Sequence, residues 1–139
     1  MKAEERAREL LAHYPGPVPV DVEGIAEGEG LEVVEWRLHV MEEMFLWPCI
    51  AVQRGLSQAW RRWVIAHALG HHLLHRGNQL WFRRHDDVMR RRQEVQAEQF
   101  AAWLLMPQDE VGRLRSLDLW HFAEYFGVPQ ECVTLRFPK

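Results

Sequence analysis

The sequence predicts an α+β fold, a helix followed by a small sheet and then helices to the end of the chain. Three observations lead there. Apolar residues recur at helical spacing near both ends, β-branched and aromatic residues gather between residues 31 and 53, and glycine and proline mark the borders. A length of 139 residues suits a single domain spanning 1–139, large enough to bury a hydrophobic core.

Each element follows from local chemistry. From about Lys2 to His13, Ala3, Ala7, Leu10 and Leu11 fall on one side and the charges on the other, an amphipathic helix that Pro15, Gly16 and Pro17 stop. Asp21 can cap a short helix carrying Val22, Ile25 and Ala26, which ends at Gly28 and Gly30. Leu31 to Trp36 reads as a strand, and Phe45 to Gln53 as one or two more, interrupted at Pro48. Ser57 is an N-cap for a helix running to about His75, closed by Arg76, Gly77 and Asn78. A polar connection over residues 79–88 leads to a second long helix from about Arg90 to Leu105, which stops before Pro107. Short helices are expected around Asp109–Arg115 and Asp118–Phe126, with Gly127, Val128 and Pro129 as a break.

Composition narrows the function classes. A formal net charge of -3 offers no general attraction to nucleic acid or anionic membranes. The charged N-terminus has no apolar signal core, and no apolar run approaches the roughly 20 residues needed to span a bilayer. Cys49 and Cys132 stand far apart and read as buried thiols in a reducing compartment, so a cytoplasmic location is expected. Arg83, Arg84, Arg90, Arg91 and Arg92 read as a solvated loop and helix start, the alternative being a basic rim that grips an acidic partner or nucleic acid. The tryptophans, Trp60, Trp63 and Trp103 among them, read mainly as packing residues.

The chemistry sits in the stretch from Trp63 to His75. His67 and His71 are four residues apart, which on a helix places both imidazoles on one face, able to bind one zinc ion. The flanking residues are apolar, so the helix packs into the core. Zinc then needs a third ligand, usually a carboxylate on a neighbouring helix. The zincin motif also needs a glutamate directly after the first histidine, and that position is Ala68. On spacing alone the pair is a weak signal, since core histidines are often simply hydrogen-bonded.

Two blocks strengthen it. Residues 65–75, Ile-Ala-His-Ala-Leu-Gly-His-His-Leu-Leu-His, resemble the ImmA/IrrE family of metallopeptidases, whose pattern is close to A-H-E-L-G-H-H-x-L-H. Residues 94–107, from Glu94 through Phe100 and Leu104 to Pro107, resemble that family's E-x-x-A-N-x-F-A-x-x-L-L-M-P helix. With the upstream residues from Pro19 to Val34, the likeness covers about 17–107. It implies a small zincin-like metallopeptidase domain with Zn2+ held by His67, His71 and Glu94. Glu98, one turn beyond Glu94 where the family commonly has asparagine, is an orienting group or a rival ligand. His72 and His75 match family residues outside the ligand set, and Trp103 stands where the family often has a charged residue, as a partially exposed contact for a partner.

The resemblance also implies a reaction. In the family a glutamate takes the proton of the attacking water and delivers it to the leaving amine, and Ala68 can do neither. This chain is therefore expected to bind zinc but to be nearly inert as a peptidase. Two origins fit the alanine: replacement of a native glutamate to trap an inactive form, or a natural pseudopeptidase that kept its metal. The implied substrate is a protein, usually a helix-turn-helix repressor of a mobile element, a phage or a stress response. Some members carry a sensor domain after the peptidase, and none is expected within these 139 residues. Two other readings compete, a zinc-stabilised module that holds a repressor or antitoxin without cutting it, and a DNA-binding protein. The last segment, residues 122–133, resembles a helix-turn-helix unit, yet it offers Gln130 and Glu131 where arginine or lysine would reach bases, with Arg136 and Lys139 only at its end. It reads as packing. His121 and Tyr125 are the polar candidates for supporting an oxyanion.

Overall fold

The structure, a computed structural model, describes residues 2–37, 43–46, 48–75, 87–114 and 118–137. Helix α1 (Lys2–His13) buries Ala3, Ala7 and Leu10 and keeps its Arg8–Glu4 and Arg6–Glu9 pairs outside. Helix α2 (Val22–Gly28) starts where the Asp21 carboxylate accepts the Gly24 N–H, which satisfies one of the open donors of a first turn. Gly30, at φ 86°, makes the left-handed turn into the sheet that a side chain would oppose.

The sheet has three strands in the order β1-β3-β2. Strand β1 (Glu32–Trp36) runs parallel to β3 (Cys49–Gln53), and β2 (Glu43–Leu46) runs antiparallel to it. The apolar run expected over 45–53 is thus two strands, parted at Pro48. Central β3 buries Ile50, Ala51 and Val52, as a strand paired on both sides should.

Two long helices form the centre. Helix α3 (Gln58–Leu74) opens with the Ser57 hydroxyl accepting the Trp60 N–H and ends at His75; residues 76–78, expected to close it, lie outside the described residues. Helix α4 runs over Asp87–Leu105 and so begins three residues earlier than expected from Arg90, because nothing from Asp87 to Met89 breaks a helix. Its exposed Arg90, Arg91 and Arg92 face solvent, while Arg83, Arg84 and most of the polar connection lie outside the described residues. Helices α5 (Gln108–Arg113), α6 (Leu119–Phe126) and α7 (Gln130–Val133) complete the chain; Asp118 caps α6 and left-handed Gly127 ends it.

Several polar contacts tie these parts together. Arg62 of α3 donates to the carbonyls of Val20 (2.6 Å), Gly127 (3.0 Å) and Phe126 (3.4 Å), linking the helix to both ends of the domain. Buried Arg136 donates to the Met106 carbonyl and stacks 3.5 Å over the Trp103 ring. Trp103 is partly exposed and is engaged by its own chain, with Arg8 also 5.6 Å away. Helix α7 is a single turn whose Cys132 and Val133 are buried, which makes the C-terminal unit a packing element as expected. Of the two thiols only Cys132 is buried; Cys49, at the start of β3, is partly exposed, because a strand end is covered less than its middle.

Helices α3 and α4 pack closely at Gly70. A Cβ built on Gly70 would lie 2.9 Å from Phe100 Cδ1 and 3.2 Å from its Cβ. Only a glycine lets the two helices meet here. Gly70→Ala would gain up to about 1 kcal/mol of helix propensity. Overpacking against fully buried Phe100 costs about 1–3 kcal/mol, so a net loss of stability is expected in urea unfolding.

Candidate metal centre

That tight crossing brings three side chains together. His67 and His71 project from the same face of α3, and their ring centroids are 4.7 Å apart. Glu94, two turns into α4, meets both: its Oε1 lies 2.8 Å from His71 Nε2 and its Oε2 lies 3.2 Å from His67 Nε2. One ligand atom from each of the three lies within 4.8 Å of the others. The rest of each helix is core, so the polar cluster stands on a rigid apolar support, with Ile65, Ala66, Leu69 and Phe100 all buried.

The environment favours a charged carboxylate. Burial pushes the Glu94 carboxyl up, but hydrogen bonds from His67 and His71, and the charge on those rings, outweigh it and hold it well below the ordinary carboxylate range. His71 is buried, His67 partly so, and the Glu94 side chain is 46% exposed, which leaves the centre open on one side. The donor set fits zinc: two imidazole nitrogens and one carboxylate are a known catalytic combination, with the fourth position left for water or substrate. It also fits chemically. An unprotonated imidazole nitrogen and a carboxylate oxygen at 2.8 Å are both acceptors, so something positive must lie between them, a proton or a metal ion.

The other residues singled out in the sequence fall as follows. Ala68 is buried in the core at 1% exposure. Among the described residues no further His, Cys, Asp or Glu joins the cluster, so no second carboxylate stands in for the missing base there. Glu98 is partly buried on α4 and lies outside the cluster. His72 is buried. His75 sits behind the centre, with Nδ1 3.2 Å from His71 Nδ1 and Nε2 2.7 Å from Gln96 Oε1. Burial lowers its pKa, against the Gln96 hydrogen bond that raises it. His121 and Tyr125 are exposed and engaged elsewhere, His121 with Asp118 at 2.8 Å and the Tyr125 hydroxyl donating to Glu110 at 2.9 Å. Gln96 is the residue that sequence reasoning passed over. Its only signal was the third histidine of the 67, 71, 75 spacing, which needs a partner on the facing helix.

A small sheet beside two crossed helices, one carrying the histidine pair and the other a carboxylate aimed at it, defines a zincin-like domain. The chain belongs to peptidase family M78: the family model for the IrrE N-terminal-like domain matches residues 26–137. Among solved structures the chain is similar to a Mycobacterium tuberculosis transcriptional regulator, with a TM-score of 0.73 and 18% identity. The match covers 97% of this chain and 46% of that one, so the chain spans a little under half of the longer protein. No curated protein matches the chain. Among the described residues no helix is long and apolar enough to cross a membrane.

Proposed function

We propose that this domain binds Zn2+ through His67, His71 and Glu94, has the architecture of a cytoplasmic zinc metalloendopeptidase, and is catalytically silent because Ala68 occupies the position of the general base. Its substrate in this reading is a protein, a helix-turn-helix repressor of a mobile element, a phage or a stress response. The observation that carries the reading is the convergence of two imidazoles and one carboxylate at a helix crossing, with the carboxylate side chain 46% exposed. A zinc ion held there supplies Lewis-acid activation of water and of a carbonyl. The chain's own part is to fix the ligands, keep Glu94 ionised and leave one side open to a peptide. What it lacks is a group at position 68 to accept a proton and return it to the leaving amine.

A second reading has one specific observation in its favour. With an alanine buried at 68 and no carboxylate in its place among the described residues, the same centre serves as a zinc-stabilised module that holds a repressor or antitoxin uncut. Direct binding to nucleic acid is not part of either reading, since the exposed polar side chains of the last two helices include Glu124, Gln130 and Glu131. The two readings separate in one experiment. The zinc-loaded chain and its Ala68→Glu variant are each incubated with candidate helix-turn-helix repressors from the same genome. Binding by both and cleavage by the variant alone supports the peptidase; binding by both with no cleavage supports the module.

A further inference from the structure

The spacing of His67, His71 and His75 continues one face of α3, yet the third imidazole points away from the cluster and takes part in another contact. A carbonyl oxygen only accepts hydrogen bonds, so at the 2.7 Å contact with Gln96 Oε1 the donor is His75 Nε2. In the neutral ring His75 Nδ1 is then an acceptor, and it faces His71 Nδ1 at 3.2 Å. His71 must donate to it. His71 thus carries a proton on Nδ1, and its Nε2, 2.8 Å from Glu94 Oε1, is the atom where a metal ion would take the place of the proton that Glu94 otherwise draws.

We propose that Gln96 and His75 form a relay from α4 back to α3 that holds His71 in its Nδ1–H tautomer, leaving Nε2 ready to bind a metal ion. Both are positioning residues: neither touches the metal position, and both act through His71. The relay has an opponent in Glu94, whose carboxylate alone would draw a proton onto His71 Nε2. Outer hydrogen bonds that fix a ligand's tautomer and ring angle are typically worth about 10- to 100-fold in metal affinity. The same contacts engage both ring nitrogens of His75, which keeps it out of the ligand set although the helical spacing alone would permit it.

The inference rests on the metal-site reading, and its test separates the two. Nitrogen-15 NMR of the imidazole rings reads the tautomer in metal-free protein. In Glu94→Ala, where the carboxylate no longer competes, His71 is expected in the Nδ1–H form. Adding Gln96→Leu is expected to abolish that preference, and adding Gln96→Glu, whose carboxylate also accepts, to keep it. In the parent chain, zinc affinity measured by chelator competition is expected to fall about 10- to 100-fold with Gln96→Leu and to recover with Gln96→Glu. Gln96 is only partly buried, so these variants are expected to fold, which circular dichroism checks. A His71 ring protonated on Nε2 in Glu94→Ala, or one indifferent to Gln96→Leu, overturns the relay. The expected tautomer in a chain that takes up no zinc supports the relay and removes the metal reading instead.

Discussion

Ala68→Glu is expected to turn the domain from an inert protein into a working peptidase, with a rate gain of about 10²- to 10⁴-fold on its protein substrate. The size follows from what a positioned carboxylate adds when the metal ligands are already in place. Ala68→Gln is the matching control, equal in bulk but unable to accept the proton, and it should stay at the parent rate. Because position 68 is buried, the new carboxyl costs some stability, and a lower Tm should accompany the gain in rate. Fragments identified by mass spectrometry, present with zinc and absent with a chelator, are the readout. A folded, zinc-loaded Ala68→Glu protein that cuts nothing in a substrate it binds would sink the peptidase reading.

The second large effect concerns the packing that aligns the ligands. Phe100 is fully buried against Gly70, one residue before His71. Phe100→Ala removes the ring at the α3–α4 crossing and should cost about 3–5 kcal/mol, the range for emptying a core aromatic site. For a domain of this length that corresponds to a fall in Tm of roughly 10–20 °C. Zinc affinity should fall with it, since the carboxylate and the imidazoles ride on different helices. Urea unfolding with and without zinc measures both. A loss below about 1 kcal/mol would show that the crossing closes around the cavity and that the helices are held together elsewhere.

Much of this arrangement was legible in the residues. The four-residue spacing of His67 and His71 needs only helical periodicity, and Pro107 and Gly127 end helices for stereochemical reasons that a single sequence carries. Glu94 is different. Periodicity places Glu94 and Glu98 on one side of a helix, but which of them faces α3 depends on where the two helices cross, and that is set by the Gly70–Phe100 contact. Family resemblance favoured Glu94, and the geometry puts that residue, not Glu98, beside the histidines. The early start of α4 was hidden because a run of arginines blurs the apolar stripe. The neighbour of Trp103 was not legible locally, since Arg136, 33 positions on, folds back over its ring. Gln96 gave no signal by itself; its role exists only once α3 and α4 are side by side.

The central claim is the metal centre, and the most direct test is the zinc content of the purified chain beside its His67→Ala and Glu94→Ala variants. About one zinc per chain is expected in the parent, with loss in both variants while circular dichroism still reports a folded protein. A folded parent chain that takes up no zinc from a metal-replete buffer would contradict the account, and would leave His67, His71 and Glu94 as a hydrogen-bonded cluster that serves the fold alone.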